Sequence, residues 1–153
     1  GTVEASKAVV VDASKDTSGI RNLTITGTLN SGTPALLATA QEFTATQNFN
    51  ETTLTDASTI AWDASANQVT KVTLGANRTL GAATNQVQGA VYVLTIIQDG
   101  TGSRTVTFNS IYKFATAVPT LTTTASARDI LVFLSDGTNM YEIGRSLSPS
   151  ATS

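Results

Sequence analysis

With neither histidine nor cysteine among its 153 residues, the chain is left with carboxylate chemistry. Imidazole-based triads, thiolate nucleophiles and zinc sites of the usual kind are removed together. The acids that a glycoside cleavage would draw on are Asp56, Asp63, Asp99, Asp129, Asp136 and Glu142. That reaction needs two carboxyl groups roughly 5 to 9.5 Å apart, and the spacing of these six singles out no pair. They read instead as ordinary turn and strand-end acids. Asp99-Gly-Thr-Gly102 and Asp136-Gly-Thr-Asn139 carry oxygens of the kind Ca²⁺ takes, but neither is an acid-rich loop closed by a glutamate. No cofactor, metal or enzymatic activity is expected. The aromatic residues with polar tips are Trp62, Tyr92, Tyr112 and Tyr141, and flat rings of this kind serve as stacking platforms for sugars. Trp62 and Tyr112 are the candidates for glycan stacking. Trp62 shares a strand face with Ile60, which favours burial, whereas Tyr112 in Ile111-Tyr-Lys-Phe114 is expected to be the most exposed.

The elements that must position these residues are strands. Val91 to Ile97 places Val91, Val93 and Ile97 on one face and Tyr92, Leu94 and Ile96 on the other, the pattern of a strand buried on both faces at the centre of a sheet. Arg104, Val106 and Phe108 alternate with Thr105 and Thr107. The turn residues Asp99 to Gly102 between the two runs predict a β-hairpin. Further strands are predicted over 52–55, 59–63, 68–74, 78–80, 111–114, 129–134 and 140–144, with a closing hairpin at Asp136-Gly137. Short strands with frequent turn residues argue for an all-β domain over residues 51–145, a β-sandwich or jelly roll. The triplet Asp-Ala-Ser recurs at 12–14, 56–58 and 63–65, but the unequal intervals lack the fixed period of a solenoid or propeller, so it reads as one turn chemistry reused, an Asp side chain bonding backbone amides just downstream.

Residues 1–30 read as an N-terminal extended β arm. Val9 and Val11 belong to a valine run, and Leu23, Ile25 and Leu29 line one face of a strand. Two strands cannot bury such a stripe alone, so the arm is expected to anchor the chain or to trimerise it. Residues 31–50 form a linker in which Pro34 fits the first position of a short helix. Residues 146–153, rich in Ser, Pro and Ala, read as a frayed tail.

Only 13% of residues are charged, against roughly 25% in an average globular protein. With 9 Lys and Arg against 11 Asp and Glu, no basic cluster is available to attract nucleic acid or anionic lipid. No apolar run approaches the ~20 residues that a membrane helix needs. Neither nucleic-acid binding nor membrane insertion is expected.

Several phrases of the chain carry a family resemblance: Ala5-Ser-Lys-Ala-Val-Val-Val-Asp12, Arg21-Asn-Leu-Thr-Ile-Thr-Gly27, Gln47-Asn-Phe-Asn50, Val72-Thr-Leu-Gly-Ala-Asn-Arg-Thr-Leu80, Ile97-Gln-Asp-Gly-Thr-Gly-Ser-Arg-Thr105 and Ser135-Asp-Gly-Thr-Asn-Met-Tyr141. In these the chain resembles tailed-bacteriophage virion proteins, namely the β-rich modules of tail fibres, head fibres and capsid decoration proteins. The resemblance implies a homotrimeric, non-enzymatic structural protein of the virion. Its implied partners are copies of itself, phage capsid or tail proteins, and a host surface glycan. The alternative is a host-glycan-binding adhesin, and a glycan-cleaving enzyme is the third reading.

Overall fold

The computed structural model describes Thr46 and residues 48–149. The arm residues Val9, Val11, Leu23, Ile25 and Leu29 and the helix expected after Pro34 lie outside the described residues. Every regular element within them is a strand: β1 (Thr52–Thr53), β2 (Thr59–Ile60), β3 (Val69–Leu74), β4 (Arg78–Leu80), β5 (Val91–Gln98), β6 (Val106–Phe108), β7 (Tyr112–Lys113), β8 (Arg128–Ser135) and β9 (Met140–Leu147). Each overlaps a run that alternation and turn residues had marked as a strand. The all-β expectation therefore holds, and what differs is the pairing.

The strands form a six-stranded sheet in the order β1-β3-β5-β8-β9-β7 and a three-stranded sheet in the order β2-β4-β6. Consecutive strands from β1 to β6 alternate between the two sheets, and within each sheet they pair in parallel. This is the path of a short β-solenoid: each coil lays one strand in one sheet, turns a corner and lays the next strand in the other. The pairings step from Thr52 to Thr70 to Leu94 in the larger sheet and from Thr59 to Thr79 to Thr107 in the smaller. Coil length therefore varies while strand register is kept. That is why a search for a fixed period argued against a solenoid: the additional residues fall in corners and connections, and the stacked positions need no constant sequence interval. The arrangement is solenoid-like where a sandwich or jelly roll had been expected.

The hairpin expected of β5 and β6 does not form. β5 pairs with β3 in parallel and with β8 antiparallel, and β6 lies in the other sheet beside β4. The Asp99-Gly-Thr-Gly102 segment is a corner. Gln98 clamps it, its side-chain amide donating to the Arg104 carbonyl at 2.9 Å and its Oε1 accepting from the Arg104 N–H at 2.8 Å. Gly102 has φ of 76°, and a Cβ there would collide with the Thr123 carbonyl. Glycine is thus required by conformation and by space. The hairpin at Asp136-Gly137 does form, joining β8 to β9.

The two sheets share one core. Ile60, Leu74, Leu80, Leu94, Ile96, Leu131, Phe133 and Met140 are fully buried, with Trp62 and Tyr92 among the largest side chains there. Burial of each such side chain stabilises the fold by about 1.5–3 kcal/mol. Ser146 and Leu147, expected in the tail, instead extend β9 opposite Ile130 and Asp129.

Candidate functional site

The candidate acids are held as staples between and within the coils. Asp56, at the first corner, receives Nε and Nη2 of Arg78 at 2.7 and 2.6 Å and the Gly75 N–H at 3.2 Å. Both partners belong to the next coil. Asn77 continues the ladder, its Oδ1 accepting the Thr105 N–H at 3.0 Å from the coil after that. The Arg78 guanidinium holds the Asp56 carboxyl below the usual carboxylate range, with the Gly75 amide adding to it. The expectation that Asp56 bonds the amides just downstream is thus corrected: stacked corners bring a cation and an amide of another coil closer to it.

Asp63 behaves as its Asp-Ala-Ser triplet predicts. Its Oδ1 accepts the Ser65 N–H at 3.0 Å and the Ser65 hydroxyl at 2.7 Å, and Asn85 Nδ2 adds a third bond at 3.0 Å. Asn85 first and Ser65 second lower its pKa. Asp99 accepts the Thr101 and Gly102 amides and pairs with Arg104, whose guanidinium is the main cause of its lowered pKa. Asp136 accepts the Thr138 and Asn139 amides at 2.8 and 2.6 Å, and these backbone bonds lower its pKa. Glu142 is paired with Arg145, whose guanidinium carbon lies 5.9 Å from the Phe114 ring centre.

Asp129 is the buried member. It accepts the Thr122 N–H at 2.7 Å, the Thr122 hydroxyl at 2.8 Å and the Ser148 N–H at 2.8 Å. It ties the loop before β8 and the end of β9 to one point. Among the described residues no group of three or more acids is placed to hold a metal ion. A surface groove of about 300 Å³ runs past Thr52, Leu54, Ala57, Ala61 and Asp63, lined by methyl and hydroxyl groups and by a carboxylate already bonded to its neighbours.

The aromatic candidates lie inside. Trp62 is 2% and Tyr112 4% exposed, their rings stacked with centres 6.5 Å apart. Tyr92 packs edge-on against Trp62, and Phe108 and Phe133 pack against Tyr112. The exposure expected of Tyr112 is corrected. Pairing of β7 with β9 turns its ring into the core, where its hydroxyl donates to the Gly81 carbonyl at 3.0 Å; burial pushes its pKa up. Neither ring offers a face to a sugar.

Tyr141 is the exposed tyrosine, 44% accessible, and the Asp136 carboxylate near its hydroxyl pushes its pKa up. Alternation alone does not say which face of β9 meets the core. The same holds for Val91 and Val93, expected to be covered and found at the surface or half-buried. Ile130, Val132 and Leu134 share that outer face, and their unbroken alternation with Leu131 and Phe133 was the signal available.

Comparison with curated proteins and with solved structures gives no match. Residues 55–140 match the family model described as "putative phage tail fibre C-terminal domain". The match begins beside the first corner, at Thr55, and ends at the head of β9, so it takes in the stacked corners, the aromatic core and the turn that closes the β8–β9 hairpin. The chain therefore belongs to the phage tail fibre C-terminal domain family, and is a phage structural fibre protein.

Proposed function

We propose that the chain is a non-enzymatic, homotrimeric appendage of the phage tail, anchored to the particle by its N-terminal arm. The observation that carries this reading is the family match over residues 55–140, a span in which the carboxylates are engaged as structural staples. A general acid for glycan cleavage needs a raised pKa, whereas Asp56, Asp63, Asp99 and Asp136 are all lowered. The arm supplies Val9, Val11, Leu23, Ile25 and Leu29 as apolar side chains for permanent attachment, which needs buried apolar contact. The family favours a tail position over a place among capsid decoration proteins.

Cryo-electron microscopy of intact particles tests this reading. Density for the chain at the tail is the expected result, and density confined to the capsid surface would overturn it. The alternative reading, a host-glycan adhesin, loses the two rings first named for it because Trp62 and Tyr112 are closed to solvent. A glycan array probed with the intact chain decides it.

A further inference from the structure

Residues 115–127, between β7 and β8, belong to no strand and run past β6 at the end of the smaller sheet. Within them only Pro119 and Leu121 are buried, and Leu121 joins the core. Polar bonds hold the rest. The Ala117 carbonyl accepts from Arg145 Nη2 at 3.0 Å, and Thr122 donates its N–H and its hydroxyl to Asp129. The Thr123 carbonyl accepts from the Ser103 N–H at 2.8 Å, and the Ser126 N–H donates to the Asp99 carbonyl at 2.9 Å.

The fit is tight on one side and loose on the other. At the corner a Cβ on Gly102 would stand 2.4 Å from the Thr123 carbonyl, so glycine lets the segment lie down there. Over β6 a cavity of about 240 Å³ lies between Thr105 and Val106 on one wall and Pro119, Thr120 and Leu121 on the other. β6 does not hold the segment either. Bonds from the Arg78 N–H to the Thr105 carbonyl and from the Asn109 N–H to the Leu80 carbonyl turn Thr105, Thr107 and Asn109 toward β4. Val106 and Phe108 therefore aim their backbone groups at the free edge, and among the described residues no hydrogen bond joins them to residues 115–127. An open edge of this kind templates unwanted pairing, and a covering loop is one way to blunt it. A segment with few buried apolar contacts, held outside any ladder, belongs to the part of a fold that opens first.

We propose that residues 115–127 are a strap that guards the edge of β6 and lifts as one unit while both sheets stay folded, drawing Leu121 out of the core. Native-state hydrogen exchange of the full chain in increasing urea tests it. The Ser103 and Thr122 amides, whose bonds the lifting strap breaks, should share one opening free energy. They should exchange at least about tenfold faster than the Leu94 and Ile96 amides of β5, with weak urea dependence because little surface is exposed. Ile60→Val alters the core at β2, two strands away from β6. It should speed Leu94 and Ile96 by roughly 3- to 10-fold and leave Ser103 and Thr122 unchanged, since Ile60 stays packed when the strap lifts. Leu121→Ala should speed Ser103 and Thr122 together by roughly 30-fold or more. Ser103 and Thr122 amides that keep pace with Leu94 and Ile96 in the parent and in Ile60→Val would overturn the proposal, because the strap would then open only by global unfolding. Unequal opening free energies at Ser103 and Thr122 would overturn it too, since the segment would be fraying piecemeal.

Discussion

The rings of Trp62 and Tyr112 stack with planes 14° from parallel and centres 6.5 Å apart, joining the connection after β2 to the strand beside β9. An aromatic pair of this kind contributes about 0.5–1.5 kcal/mol beyond its area. Trp62→Ala should therefore cost about 3–5 kcal/mol, and Tyr112→Phe, which loses the bond to Gly81, about 1 kcal/mol. Urea unfolding measures both. Equal losses for the two variants would mean that the hydroxyl, not the ring, does most of the stabilising at Tyr112.

Gly102 and Gly100 occupy the same corner with opposite constraints. Gly102 has positive φ and no room for a Cβ, while Gly100 has open space and no positive φ. Gly102→Ala should destabilise by more than about 2 kcal/mol. Gly100→Ala should stay within about 0.5 kcal/mol of the parent. Thermal melts of the pair compare them directly, and a neutral Gly102→Ala would place the corner backbone elsewhere.

Acid should loosen the corners. Asp56, Asp63, Asp99 and Asp136 have folded pKa values below the ordinary 3.8. Their contribution is complete above that value and is lost as pH falls through the lower folded values. Urea midpoints should be level between about pH 7 and 5 and drop below about pH 4. Asp99→Asn should shrink that drop by removing one titrating staple. A midpoint that instead rose on acidification would contradict the assignment of these carboxylates as ionised acceptors.

Asp129→Ala would remove the buried acceptor of the half-buried Thr122 and the exposed Ser148 amides. A hydrogen bond contributes about 0.5–1.5 kcal/mol net, so losing the three bonds to Asp129 should cost a few kcal/mol in all. Hydrogen exchange localises the effect: amides of Thr122 and Ser148 should exchange faster than those of β5. Unchanged protection at both would show that Asp129 is not their partner in solution.

Deletion of residues 1–30 tests the arm. The truncated chain should keep a β-type circular dichroism spectrum and lose attachment to particles in a pull-down. Decoration of particles at parental occupancy would assign attachment to the β domain. Ile25→Asp in the full chain should weaken assembly in the same direction, since each buried apolar side chain contributes on the order of 1.5–3 kcal/mol.

Local alternation and turn chemistry were enough to locate the strands. Val91 to Gln98, Arg128 to Ser135 and Met140 onward announce themselves by residue type, and Asp136-Gly137 marks a tight turn whose geometry is set within four residues. The phage fibre family was legible too, in phrases such as Gln98-Asp-Gly-Thr-Gly-Ser-Arg-Thr105. Strand partners were not. A period of two says that Tyr92, Leu94 and Ile96 share a face, but nothing local says whether β5 meets β6 across a hairpin or lies between β3 and β8. That choice depends on which long-range registers close a single core, and the parallel stacking of coils of unequal length satisfies it. The same closure turned Tyr112 inward and Tyr141 outward, carried Asp56 to Arg78 of the next coil, and left Val93 and Val132 on an open face. Side-chain orientation relative to the core is a property of the assembled sheets, because either face of an isolated strand can be the buried one.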